Sequence, residues 1–171
     1  MDVQTSMLFA KYNQVANNDM NLLISKLDVG QWNREFGGYF KSIKEVCNHL
    51  YITDFNWLKR FSKLRDFHYI KNPIFDHDLA FGTNPISEIP DYLQKRKELD
   101  EKLIQFTSEI RPDDLDSDLS YSDSQGVPHK RNFGGLVLHA FNHQTHHRGM
   151  VSVYLDIMNI HNDFSNVLPL V

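Results

Sequence analysis

Hydrophobic residues recur at helical spacing in four long segments, and this pattern constrains the fold more than any other feature of the chain. The segments run from about residue 2 to 27, 43 to 64, 89 to 110 and 133 to 160. In each segment, apolar side chains return every three or four residues and therefore fall on one face of a helix. Four amphipathic helices of this length are typical of a four-helix bundle. The sequence therefore predicts an all-α fold with a single domain over residues 1–171.

Local signals mark where several of these helices begin and end. Ser42 and Glu45 form a capping box, in which the hydroxyl and the carboxylate satisfy free backbone N–H groups at a helix start. Pro90 suits the first turn of the third helix, where a missing N–H costs nothing. Pro112 is expected to end that helix, and Val29–Gly30 is expected to end the first.

The connections between the helices differ in length. Residues 66–86 contain two prolines and a glycine and show no sustained period, so we expect a long crossover between the second and third helices. Residues 115–130 alternate loosely, which a small hairpin and an irregular loop explain equally well. The other links are short. This spacing is compatible with a bundle in which one pair of helices runs parallel.

Composition excludes several classes of partner. A formal net charge of -4 provides no basic field for a polyanion, so no nucleic-acid partner is expected. The apolar runs are far shorter than the roughly 20 residues that cross a bilayer, and the first residues do not resemble a secretory signal, so no membrane partner is expected. The single cysteine, Cys47, excludes an internal disulfide and is compatible with a reducing compartment. The sequence therefore predicts a cytoplasmic protein.

The histidines are distributed unevenly along the chain. Four of the nine fall between His139 and His147. On a helix, His139, His143 and His147 lie along one face, because their spacing is i, i+4, i+8. Two imidazoles at i, i+4 can bind one ion, since their Cβ atoms are about 6 Å apart. The spacing does not choose between the His139/His143 pair and the His143/His147 pair. It also fits histidines that do not bind a metal, either hydrogen-bonded in the core or clustered on a solvated face with His146.

A third ligand has to come from another helix, and His49 is the best candidate. It stands beside Val46 and Leu50, near the edge of the buried stripe of the second helix. The remaining histidines lie in loops or at a helix end: His68, His77, His129 and His161. Three imidazoles without a thiolate suit Zn²⁺, Ni²⁺, Fe²⁺ or Cu²⁺. Three protein ligands also leave coordination positions open, as in catalytic rather than structural sites.

Two stretches of the chain resemble a known family. Residues 142–149, Asn-His-Gln-Thr-His-His-Arg-Gly, are similar to the N-H-x-x-H-H-R-G signature in the last helix of the DinB-like proteins. The segment from Phe40 to Leu58, with His49 about two turns before Trp57, resembles the family's other landmark. The resemblance covers nearly the whole chain and extends to the wider superfamily of mycothiol-dependent thiol transferases.

The resemblance implies a fold and a set of ligands. The family has an up-down-down-up bundle with a long crossover between helices 2 and 3. Its metal ligands correspond to His49, His143 and His147, which argues against His139 and His146. Met150 departs from the family, because a glutamine commonly follows the Arg-Gly pair, and we expect it to pack beside the site. Arg148 is interpreted as a structural ion-pair residue. Relatives often form homodimers, so a homodimer is expected.

The resemblance also implies a class of function. Relatives include metal-dependent thiol transferases and hydrolases, which predicts a metal-dependent S-transferase or hydrolase acting on a small-molecule substrate. The implied cofactors are one divalent ion (zinc, nickel or iron) and a low-molecular-weight thiol. The alternative is a non-catalytic metal-binding bundle with a structural, sensor or stress-response role. No catalytic or cofactor-binding residue is identified, since Glu45 is assigned to the cap and Asp54 lies on a helix where most carboxylates are solvated.

Other metal-binding helical proteins fit the sequence less well. Ferritin-like sites require Glu-x-x-His pairs, and no glutamate here has a histidine three residues later. A hemerythrin-like site matches the spacing of His49 and Asp54 but lacks a His-x-x-x-Glu element. Zinc proteases with His-Glu-x-x-His are excluded, because Ala140 follows His139 and Gln144 follows His143. A mononuclear three-histidine site is therefore the prediction.

Overall fold

A computed structural model describes the whole chain, residues 1–171, and the protein is mostly helical. An all-α fold was predicted and is confirmed in its broad form, with one small two-stranded sheet added. The elements in chain order are α1 (Val3–Ile24), α2 (Val29–Asn33), α3 (Ile43–Phe61), α4 (Ile89–Glu109), α5 (Pro112–Asp116), β1 (Asp118–Ser122), β2 (Pro128–Asn132) and α6 (Phe133–Ile157). Single 3₁₀ turns occur at Tyr69–Lys71, Pro73–Phe75 and Leu168–Leu170.

The four long helices pack around one continuous hydrophobic core. Helix α1 contacts α4 and α6, and α3 contacts the same two helices. Cys47 is fully buried in this core, as expected for a small apolar side chain on a helix. None of the helices combines the length and the apolar character that crossing a bilayer requires.

Pairs of contacting residues show how the long helices are aligned with one another. On α3 and α4, Asp54 pairs with Arg96, and Phe61 stacks on Phe106 farther along both helices. On α3 and α6, the ring of His49 lies against that of His147, whereas Phe61 lies against Phe133 at the other end of α6. On α1 and α6, Phe9 stacks on Phe141 and Asn13 accepts a hydrogen bond from Arg148.

Side-chain caps start the two helices that carry the site, and the sequence marked the first of these caps. The Ser42 hydroxyl accepts the backbone N–H of Glu45 at 3.2 Å. The Glu45 carboxylate accepts the backbone N–H of Lys41 at 2.8 Å, one residue before the position that a standard capping box uses. At the other end of the fold, the Asn132 side chain accepts the Gly135 N–H and begins α6.

The link between the first two long helices contains a short helix, α2, that the sequence analysis did not predict. Helix α1 ends at Ile24 rather than Leu27, and a helix begins where Val29–Gly30 was expected only to stop one. The reason is a reciprocal cap, in which Asp28 accepts the Gln31 N–H while the Gln31 side chain accepts the Asp28 N–H. This helix buries Trp32 in the core.

The long crossover between α3 and α4 is anchored at its end beside the site. Asn48, the residue before His49, is fully buried. Its side chain donates to the carbonyl of Ile86 at 2.8 Å and accepts the Ile86 N–H at 2.9 Å. The Trp32 indole N–H donates to the carbonyl of Ser87 at 3.0 Å. The crossover is therefore held against α3 at the turn that carries His49.

A hairpin occupies the segment for which the sequence allowed either a hairpin or a loop. Strands β1 and β2 pair antiparallel, with Asp118 opposite Asn132 and Ser122 opposite Pro128. Gly126 in the turn has φ 82°, a conformation that a residue with a side chain adopts only with strain. The hairpin delivers the chain directly into α6.

Candidate metal centre

Helices α3 and α6 bring His49, His143 and His147 together. One ring nitrogen from each of the three lies within 4.8 Å of the others. The Nε2 atoms of His49 and His143 are 3.0 Å apart. The ring of His147 lies 4.3 Å from that of His143 and 4.5 Å from that of His49, measured between centroids. One turn of α6 separates His143 from His147, which is why both can face the same residue of α3.

The other histidines of α6 lie outside this cluster. His139 is exposed and packs edge-on against Trp57, with its ring 6.2 Å from that of His143. His146 is exposed beside His147. His129 in β2 instead contacts the Asp123 carboxylate at 2.9 Å. Of the two i, i+4 pairs that the spacing allowed, the structure places His143 and His147 with His49.

Burial keeps the three imidazoles uncharged. The pKa of His143 is lowered to about 3, mainly because the ring is removed from water and also because His147 and His49 lie nearby. Burial, with His49 and His146 nearby, lowers the pKa of His147 to about 4. Burial also lowers the pKa of His49. At neutral pH each ring therefore carries a nitrogen lone pair, which is the form that binds a metal ion.

The hydrogen bonding within the cluster is incomplete. Two imidazole nitrogens 3.0 Å apart, as in His49 and His143, can share only one proton. Nδ1 of His143 is buried and has no hydrogen-bond partner. Nδ1 of His147 contacts the Met150 sulfur at 3.2 Å, so the methionine that departs from the family pattern packs beside the cluster as expected. Each neutral imidazole has one lone pair and one N–H, so the three rings cannot fully satisfy one another's hydrogen bonding.

This donor set fits a divalent ion. Neutral imidazoles without a thiolate are borderline ligands, suited to Zn²⁺, Ni²⁺ or Fe²⁺, and each of the three rings offers one nitrogen to such an ion. No carboxylate is part of the cluster. Three ligands leave coordination positions for a water molecule or a substrate atom.

Phe40 covers one side of the cluster, and sequence reasoning did not identify it in this role. Its ring lies 4.5 Å from that of His49 and 5.4 Å from that of His147. The Tyr154 hydroxyl donates to the Phe40 carbonyl at 2.5 Å, and Phe36 stacks on Tyr154 at 4.3 Å. Close approach of Gly38 to the Tyr154 hydroxyl leaves no room for a Cβ there. The aromatic cover is thus fixed by a side chain of α6 itself.

A cavity of about 200 Å³ opens beside His49. Its wall is formed by the segment before α3, the first turns of α3 and the crossover: Tyr39, Phe40, Glu45, His49, Ile52, Gly82, Thr83 and Asn84. Of the three histidines, only His49 contributes to this wall. The cavity therefore reaches the cluster from the α3 side.

The two carboxylates considered as general bases are both engaged. Glu45 lines the cavity, but one of its oxygens accepts the Lys41 N–H of the helix cap. Asp54 is 2% exposed and pairs with Arg96 at 2.8 Å. Its partner Gln144 follows His143 directly on α6 and donates to the same carboxylate. The sequence analysis expected a solvated carboxylate at Asp54, and the signal that could have indicated a buried pair is its position inside the apolar stripe of α3.

Comparison with known proteins identifies a family and a relative that the chain resembles. A model of the DinB family matches residues 1–158. Protein DinB of Bacillus subtilis (strain 168) is 26% identical over 147 residues, which span 85% of this chain and 81% of that protein.

Proposed function

The chain belongs to the DinB family, and from this premise we propose that it is a mononuclear metal-dependent enzyme acting on a small molecule. His49, His143 and His147 hold the ion, which is zinc, nickel or iron. The reaction is of the thiol-transferase or hydrolase type, with a low-molecular-weight thiol as co-substrate in the first case. The observation that carries the proposal is the convergence of three uncharged imidazoles from two helices.

We include the up-down-down-up order of the four long helices in the proposal. Helices α3 and α4 contact each other in parallel order, because Asp54 pairs with Arg96 and the later residue Phe61 stacks on the later residue Phe106. The contacts between α1 and α6 are also in parallel order, whereas those between α3 and α6 are in antiparallel order. This pattern supports an arrangement in which α3 and α4 are parallel and joined by the long crossover.

The residues around the cluster have separate tasks in this mechanism. The three histidines present lone pairs without first having to release a proton, because burial keeps them neutral. Phe40 excludes water from one side of the cluster. The cavity beside His49 receives the substrate, and Thr83 and Asn84 offer polar groups that orient it. When bound, the ion supplies a Lewis acid that acidifies water or a thiol and polarises a carbonyl.

Metal content tests the ligand set. Protein purified without a histidine tag is expected to bind about one ion per chain, as one three-histidine cluster predicts. His49→Ala, His143→Ala and His147→Ala are expected to lose the ion. His139→Ala and His146→Ala are the matched controls, since both residues are exposed on α6 outside the cluster. Loss of the ion in the controls but not in the cluster variants would refute the assignment.

The rival candidate is a non-catalytic bundle in which the ion joins α3 to α6. The observation in its favour is that Glu45 is engaged in the helix cap and Asp54 in an ion pair, so neither is a free base. A panel of thiol-transfer and ester or amide hydrolysis substrates separates the two. The enzyme proposal expects turnover that chelation abolishes and that His147→Ala lacks. Metal binding without turnover on any of these substrates favours the non-catalytic bundle.

A further inference from the structure

Next to the histidine cluster, seven polar side chains form a closed circuit of hydrogen bonds through all four long helices. We call it the buried polar ring. Every member is at most 2% exposed, and the members are Asn13, Asn17, Asp54, Arg96, Asp100, Gln144 and Arg148.

One half of the ring joins α6 to α4 through α3. Gln144 donates to the Asp54 carboxylate, and Arg96 donates to the same oxygen at 2.8 Å. The other terminal nitrogen of Arg96 donates to Asp100 at 2.8 Å. Asp54 therefore accepts from both neighbouring helices.

The other half closes the circuit through α1. Asn17 donates to Asp100 at 2.9 Å, and Asn13 donates to it at 3.4 Å. Arg148 donates to the side-chain oxygen of Asn13, to that of Asn17 at 3.3 Å and to that of Gln144 at 3.5 Å. The expected ion pair of Arg148 is thus replaced by hydrogen bonds to amide oxygens.

The ring is balanced in charge and intolerant of rotation. Two arginines stand against two aspartates, and all four side chains are at most 2% exposed. A buried charge that loses its partner is strongly destabilising, so each helix must keep the orientation that completes the circuit. A small turn of α6 about its axis would move Gln144 and Arg148 away from their partners.

The ring and the histidine cluster use adjacent residues of the same two helices. On α6, Gln144 follows His143 and Arg148 follows His147, so a ring residue stands directly after each of the two cluster histidines. On α3, Asp54 lies five positions after His49. The Asp54–Gln144 hydrogen bond therefore joins the helix that carries His49 to the helix that carries the other two histidines.

We propose that Asp54 and Gln144 are positioning residues of the metal site, which fix the rotation of α6 relative to α3 so that His143 and His147 face His49. The inference rests on the proposed metal binding. Neither residue contacts the ion. They act on the histidines through the backbones of α3 and α6, and the closed ring supplies the rigidity.

A swap of the two polar groups tests the proposal. Asp54→Asn removes one negative charge from the ring. Gln144→Glu adds one negative charge and replaces the amide donor by a second carboxylate. Neither substitution changes the size of the side chain. The double variant D54N/Q144E keeps the total charge of the ring. It also restores a hydrogen bond between the two positions with the direction reversed, because the amide of residue 54 now donates to the carboxylate of residue 144. The readouts are the Kd for Co²⁺ and the visible spectrum of the bound ion, which reports the arrangement of its ligands.

We expect each single variant to bind Co²⁺ about 10- to 100-fold more weakly, with an altered spectrum, as outer-shell substitutions at metal sites do. The swap is expected to recover most of the affinity and the original spectrum. Ile24→Ala is the matched control, because it creates a buried cavity near the far end of α1. It lowers stability, but its Kd for Co²⁺ is expected to remain that of the parent protein.

Two results would overturn the inference alone: folded single variants that bind Co²⁺ as tightly as the parent, or a swap that recovers stability but not affinity. If Asp54→Asn or Gln144→Glu does not fold, Gln144→Met decides, since it removes the hydrogen bonds without adding a charge. It is expected to weaken binding, and parental affinity would again overturn the inference. A parent protein that takes up no Co²⁺ refutes the proposed function and this inference together.

Discussion

Burial alters the chemistry of individual side chains in this protein, and the direction depends on the partners that each side chain finds. For His143 and His147 the loss of water is the main effect, and the neighbouring histidines add to it, so the pKa of each is lowered. Asp114 is also largely buried, yet it meets the Arg65 guanidinium at 2.9 Å and the Arg111 backbone N–H at 2.8 Å. The carboxylate of Asp114 is therefore stabilised in its charged form.

Asp114 leads to a prediction about pH. Burial raises the pKa of Asp114, but the hydrogen bonds from Arg65 and Arg111 and their charges outweigh it, so the net pKa lies below 3.8. A lowered carboxyl pKa stabilises the fold above the unfolded value of about 4, and this stabilisation is lost as the pH falls through the lowered pKa. Asp114→Asn is expected to lose about 1–2 kcal/mol of unfolding free energy at pH 7.

Urea unfolding of wild type and Asp114→Asn from pH 7 to pH 3 checks this prediction. The difference between the two proteins is expected to shrink from about pH 4 downward, because Asp114 binds a proton there in the unfolded chain before it does so in the folded protein. Asp113→Asn is the control, because Asp113 is exposed and forms no ion pair, and its effect should stay within about 0.5 kcal/mol. A difference that is constant with pH would show that the charge of Asp114 does not contribute.

At the scale of elements, α3 has the central position. It contacts both α4 and α6, carries His49 and Asp54, and is held to the crossover by Asn48. Its first turn is fixed by two side chains, since Ser42 accepts the Glu45 N–H and Glu45 accepts the Lys41 N–H. The cavity beside His49 is lined by the same turn. The start of α3 therefore supports both the helix and the site.

The Ser42 cap has a measurable contribution. Ser42→Ala removes the acceptor for the Glu45 N–H at the buried start of α3 and is expected to lower the unfolding free energy by about 1 kcal/mol. The matched control is Ser25→Ala, in which an exposed hydroxyl at the end of α1 loses only its contact with the Leu22 carbonyl. Thermal and urea unfolding of both variants compare the two sites. Equal effects would mean that the Ser42 hydroxyl does not act as a cap.

At the scale of the whole molecule, the histidine cluster and the buried polar ring connect the helices in different ways. The ring passes through all four long helices and is complete without an ion. The cluster joins only α3 and α6, and Nδ1 of His143 in it has no hydrogen-bond partner. An ion that binds this folded arrangement, and not the unfolded chain, adds to the stability of the whole molecule.

Metal addition is therefore expected to raise the stability of the protein by linkage. At a free Zn²⁺ concentration of 100 times Kd, the unfolding free energy should increase by about 2.7 kcal/mol. His147→Ala is expected to show no such increase, whereas His146→Ala should respond like the wild type. Thermal unfolding with and without Zn²⁺, followed by chelation, provides the measurement. An equal increase in His147→Ala would indicate that Zn²⁺ binds elsewhere.

The sequence alone determined the features that depend on residues close together in the chain. Apolar periodicity predicted the four long helices, and the serine and proline signals located the starts of α3 and α4, because caps act within one turn. Histidine spacing limited the site to two pairs on α6, and the family resemblance, rather than the spacing, selected His143 and His147. The reciprocal cap of Asp28 and Gln31 was equally local, and α2 was missed because Gly30 was interpreted only as a helix terminator.

Tertiary structure decided everything that joins distant parts of the chain. His49 and His143 are 94 positions apart, and Asn13 and Arg148 are 135 positions apart. Helical periodicity identifies which face of a helix is buried, but the apolar residues on that face tolerate several rotations against a neighbour. Hydrogen bonds between buried charged and polar groups do not, because each must meet a partner at a fixed distance and angle. Closure of the polar ring and the packing of Phe40 on the histidines therefore follow only from the packed arrangement of all four long helices.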